Sequence, residues 1–161
     1  GTMMALLLNT LMWMLSVLAL CGYFYRVVLQ RPFATVAKHF GIVMVVHLVL
    51  NGLALILSQL DWSGMVRPQS VPTGLKWALM LFTKLYMALL VVALINFAAA
   101  FAKKMVERVV SFHQEHNVQN VHKQPIQGLI RHQKRIVIGY QAVFVLGGVM
   151  MLWAVWFRML V

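Results

Sequence analysis

The chain has 161 residues, 62 % of them apolar, and 14 Lys and Arg against three acids give it a formal net charge of +11. Ordinary soluble domains hold about 45–50 % apolar residues, so a cytosolic globular fold is excluded by composition. The single cysteine, Cys21, excludes an intrachain disulfide and a two-cysteine redox centre, and it reads as a small buried apolar residue.

Gly1–Tyr25, His39–Leu60 and Ile136–Phe157 carry no charged residue, and Trp77–Ala102 is broken by Lys84 alone. About 20 apolar residues of helix cross a hydrocarbon core, so the predicted fold is all-α with four membrane spans, near 4–28, 37–59, 74–102 and 134–158. Gly1-Thr2 ahead of Met3 reads as a leftover of expression, and the first span as retained rather than cleaved.

Span one ends in Tyr23, Phe24 and Tyr25, rings suited to a membrane interface. Arg31-Pro32 marks the break before span two, because proline cannot continue the helical ladder. The connector Asp61–Lys76 is rich in turn residues (Gly64, Pro68, Ser70, Pro72), with Trp62 expected at the interface. Thr73 is the expected N-cap of span three.

Beyond Ala102 the helical pattern continues through Met105, Val109 and Phe112, and Pro125 stands where a second helix would start. Ile126, Leu129 and Ile130 form another apolar stripe leading into span four. The expected element is an upright helical hairpin over 103–133, with arms of about 22 Å at 1.5 Å per residue. Arms lying flat on an anionic leaflet are the alternative. The upright form is preferred because continuing a helix needs no new nucleation.

Charge sets the expected orientation. Arg26, Arg31 and Lys38 lie in one connector, and Lys103, Lys104, Arg108, Lys123, Arg131, Lys134 and Arg135 lie in another. Basic loops stay cytoplasmic, so residues 26–38 and 103–135 are expected inside and both termini on the outer, periplasmic side of a bacterial inner membrane. Orientation accounts for the basic residues without nucleic acid. They also suit an acidic cytoplasmic partner or anionic lipid.

Polar side chains within spans are functional candidates because hydrocarbon offers them no partner. Asn9, Asn51 and Lys84 fall about 10–15 Å from the outer boundary, with His47 one turn deeper than Asn51. They are the expected ligand or pore residues if their faces converge. Otherwise Lys84 snorkels and the amides join neighbouring helices. Asn96 and Gln141 lie in the inner half. The spans contain no Asp or Glu, which weighs against a proton- or sodium-coupled carrier.

His39, His113, His116, His122 and His132 gather on the basic side and number enough to hold zinc. A pH-responsive hairpin would use the same residues. Haem would need His47 and a methionine such as Met80, Met87, Met150 or Met151. No nucleophile–base pair, carboxylate pair or phosphate loop appears. Ala93, Ala98, Ala99, Ala100 and Ala102, with Gly147, Gly148 and Ala154, allow close helix approach within or between chains.

These residues lead first to a non-enzymatic membrane subunit or scaffold that oligomerises, or docks a partner through its basic hairpin. An oligomeric channel with anion preference is second, and a haem- or metal-binding membrane protein third.

Overall fold

The computed structural model describes residues 1–59 and 72–159. The expected turns at Gly64, Pro68 and Ser70 and the interfacial Trp62 lie outside them. The described residues are all-helical: α1 (Thr2–Tyr23), a π-helical turn (Phe24–Val28), α2 (Phe33–Gln59), α3 (Thr73–His116), a short 3-10 turn (Val118–Asn120), α4 (Ile126–Arg131) and α5 (Gln133–Phe157). Four of these helical segments are long and apolar enough to cross a membrane: Thr2–Val28, Phe33–Gln59, Thr73–His116 and Gln133–Phe157. They fit an integral membrane protein.

Helix α3 is the hub. It packs along α5, α2 and α1, and α1 also packs on α5, while α2 rests on α3 and the π turn. One core cluster joins Leu20, Ala88, Val91, Leu152, Val155 and Trp156. A second, toward the Lys103 end of the bundle, joins Val28, Val36, Ala99 and Ala100. Phe40 stacks on Phe97 with centroids 4.2 Å apart, which ties α2 to α3.

Gly148 is the point of closest approach. A Cβ there would sit 3.0 Å from Leu20 Cδ2 and 3.1 Å from Ile95, whereas one at Gly147 would meet nothing within 4 Å. Ala99, Ala100 and Gly148 therefore serve packing within the chain. The outward surface is apolar: Leu18 is 67 % exposed and Met150 72 %. So much exposed apolar area does not suit water.

Several expectations need correction. The break between α1 and α2 falls where Arg31-Pro32 places it, but α1 reaches it through a π turn closed by Leu29 N–H donating to Phe24 O at 3.0 Å. Thr73 does not cap α3. Pro72 occupies the N-cap position, and its carbonyl accepts from Leu75 and Lys76. Cys21 lies on the exposed face of α1, because the buried stripe there runs through Ser16 and Leu20.

Residues 103–133 do not form two matched arms. The first is continuous to His116, but the second is broken: α4 spans 6 residues, and His132, at φ −112° and ψ 20°, separates it from α5. Gly128 within α4 and the polar run 117–124 weaken helix formation there.

Candidate functional site

The polar residues of the long helices sort into separate stations, each tied to the backbone of a neighbouring helix. On the α2–α3 seam, the buried His47 ring places Nδ1 2.8 Å from Val43 O and Nε2 2.9 Å from Tyr86 O. An imidazole with one N–H satisfies one of these carbonyls at a time, and an imidazolium satisfies both. Tyr86 answers across the seam. Its hydroxyl lies 3.0 Å from His47 O and 2.9 Å from Asn51 Oδ1, and its single proton serves one of these acceptors at a time. Asn51 joins because it is one turn from His47 on the same face.

Lys84 belongs to a different station. The residue is 7 % exposed, and its ammonium donates to Trp156 O at 3.0 Å, in the last turn of α5. The last carbonyls of a helix have no intrahelical donor and form the negative end of its dipole, so a cation is stabilised there. Trp156 Nε1–H donates in turn to Ser16 Oγ at 2.9 Å, and Trp13 Nε1–H to Val149 O at 3.1 Å. Together these tie α1, α3 and α5.

The expected convergence of His47, Asn51, Lys84 and Asn9 does not occur. Lys84 and Tyr86 are two positions apart, about 200° around α3, so they serve opposite neighbours. Asn9 is half-buried on α1, with no hydrogen-bond partner among the described residues.

Nearer the Lys103 end, Gln141 Nε2–H donates to Ala99 O at 3.2 Å, joining α5 to α3. Asn96 Nδ2–H donates to Val92 O at 3.0 Å and reaches Leu20 O at 3.4 Å. Its Oδ1 is buried with no partner among the described residues.

The histidines do not assemble. His39 accepts from or donates to Tyr23 at 3.0 Å, beside a small cavity lined by Ala93. His113 lies about 30 Å further along α3 than Ala93 at 1.5 Å per residue. His113 pairs with Asn117, His116 lies 3.9 Å from Glu115, His122 lines a groove with Arg131, and His132 sits between α4 and α5. Among the described residues no three His, Cys, Asp or Glu side chains are grouped to hold a metal ion. The expected zinc set therefore has no common centre.

The basic residues lie along the α3 extension and its return. Arg108, Lys123, Arg131, Lys134 and Arg135 are exposed. Lys103 and Lys104 edge a 220 Å³ cavity against the α1–α2 elbow, and Lys103 with Lys134 edges one of 330 Å³ between α3 and α5.

Tyr86, Trp156, Trp13 and Ser16 were not anticipated. Their signal was faint, since an aromatic or serine in an apolar helix is usually bulk or self-bonded. The arrangement defines a helical bundle, with four helices long and apolar enough to cross a membrane, whose internal polar groups act as interhelical ties. No protein-family model, curated protein or solved structure matches the chain.

Proposed function

We propose that the chain is a non-enzymatic integral membrane subunit that docks an acidic partner through residues 103–135. Basic connectors on one side orient it with 26–38 and 103–135 in the cytoplasm and both termini outside. The observation that carries the reading is the continuation of α3 past Lys103 and Lys104. It runs about 20 Å further at 1.5 Å per residue. Val109 and Phe112 along it, and Val118 in the 3-10 turn that follows, stay 44 %, 55 % and 57 % exposed among cations. Beyond the hydrocarbon such side chains face water, and apolar patches rimmed by charge are features of interaction sites.

The groove between Gln114, Val118, His122, Ile130 and Arg131, of 350 Å³, has room for an apolar anchor on an acidic segment. Other readings rank lower on specific contacts. The Lys84 ammonium is directed at Trp156 O rather than a free lumen, which weakens the anion channel. Both His47 nitrogens face backbone carbonyls, which weakens haem ligation.

The test is photocrosslinking in native membranes, with a photoreactive residue replacing Phe112 or Val118. Discrete adducts to one protein, lost when Arg108, Lys123 and Arg131 become Gln, are expected. Adducts no more frequent than from a probe at Val143, on the exposed face of α5, would refute the docking role. Thiol labelling that put 103–135 and 26–38 on opposite sides of the membrane would overturn the orientation.

A further inference from the structure

The elbow between α1 and α2 forms a pocket against the base of the α3 extension, apart from the groove at Gln114, Val118, His122, Ile130 and Arg131 to which docking is assigned. Its volume is 220 Å³, and Arg31, Lys103, Lys104 and Glu107 line its polar side. Val28, Phe33 and Ala100 form the apolar side, and Val28 and Ala100 belong to the buried core. Three cations thus meet one carboxylate. Among the described residues the one ion pair is His116 with Glu115, so these cations have no carboxylate within ion-pair distance.

The pocket sits where the apolar stretch of α3 ends and its basic stretch begins, at Ala102–Lys103. That is the level of lipid headgroups if the bundle spans a bilayer. Helix α2 also starts at this wall, at Phe33, so the positive end of its dipole lies beside the cations. The π turn widens the local backbone, and Val28, its last residue, lines the pocket.

We infer that this pocket binds the phosphate of an anionic phospholipid, with Arg31, Lys103 and Lys104 around the headgroup and the chains along the apolar wall. Basic pockets between membrane helices on the cytoplasmic side suit such headgroups. The elbow supplies what a solvated lysine on a straight helix does not. It converges cations from two elements on an apolar floor, and the site closes only when α1–α2 folds onto α3.

The inference rests on the membrane placement proposed above, so insertion is measured separately. The full chain is reconstituted into vesicles of phosphatidylcholine alone or mixed with phosphatidylglycerol, and flotation reports insertion. Lipid retained after transfer to mild detergent is then counted by native mass spectrometry.

Insertion in both vesicles, with phosphatidylglycerol retained at least about fivefold over phosphatidylcholine, is expected. Each cation is worth about fivefold near an anionic surface, so Arg31→Gln with Lys103→Gln and Lys104→Gln removes the preference. Arg26→Gln with Lys38→Gln, which removes two cations at the same end but outside the pocket, keeps it within about twofold. Equal retention of the two lipids, or a preference unchanged in the triple variant, overturns the inference. So does retention displaced by millimolar inorganic phosphate, which would make the ligand a free anion. If the triple variant does not float, Lys104→Gln alone decides: an inserted variant with undiminished retention overturns the inference. Failure of the unaltered chain to float overturns the membrane placement instead.

Discussion

Lys84 and Trp156 are 72 positions apart, yet the lysine ammonium donates to the tryptophan carbonyl at 3.0 Å. The lone cation within the apolar part of α3 thereby caps the C-terminal turn of α5. Its charge meets the negative end of a helix dipole instead of a carboxylate. Hydrogen bonds to charged groups are worth about 1.5–3 kcal/mol, and removing a buried ammonium returns part of this.

Lys84→Met is expected to destabilise the bundle by about 1 kcal/mol, with the loss focused on α5. Amide exchange at Arg158 and Met159, both bonded to Ala154 O, should quicken. Lys84→Arg should recover most of the protection. Unchanged exchange in the methionine variant would show that the cap has no energetic weight.

Across the α2–α3 seam, Tyr86→Phe removes the hydroxyl bonded to His47 O and Asn51 Oδ1. Interhelical hydrogen bonds in membrane bundles average about 0.6 kcal/mol and reach about 1.7, so a loss in that range is expected. The separation of stations gives a sharper test. His47→Phe and Lys84→Met should add to within about 0.5 kcal/mol, because they share no partner. A larger coupling in a double-mutant cycle would mean that the two residues act as one site.

Adjacent glycines should respond in opposite ways. Gly148→Leu drives a side chain into Leu20 and Ile95, at 3.0 and 3.1 Å from the Cβ position. Overpacking of this kind costs about 1–3 kcal/mol. Gly147→Leu enters open space and should leave thermal unfolding in detergent near that of the unaltered chain. Equal shifts for both would argue against the α1–α3–α5 contact.

Asn96 is buried to 1 % exposure, yet its Oδ1 has no partner among the described residues. Leucine, with the same branched skeleton of side-chain heavy atoms, removes the orphaned acceptor together with the two amide bonds. Asn96→Leu is therefore expected within about 1 kcal/mol of neutral in unfolding measurements. A loss above about 3 kcal/mol would show that the amide is fully engaged.

The long apolar helices were readable from the chain alone, because a run such as Ile136–Phe157 without charge has few other uses. The break at Arg31-Pro32, the continuation of α3 past Ala102 and the start of α4 after Pro125 were equally local, set by ring chemistry and periodicity.

What linear order could not decide was azimuth. Lys84 and His47 were comparable in depth, but only packing assigned one to α5 and the other to α3, since helices nearly uniform in apolarity carry little pattern to set their rotation. The same uncertainty hid Tyr86 and Trp156 as bonding partners. Gly148 was chosen over Gly147 for the tight contact by neighbours more than fifty positions away in the chain. Composition determines that these rods are apolar, while their mutual rotation depends on close contacts that exist only after they assemble.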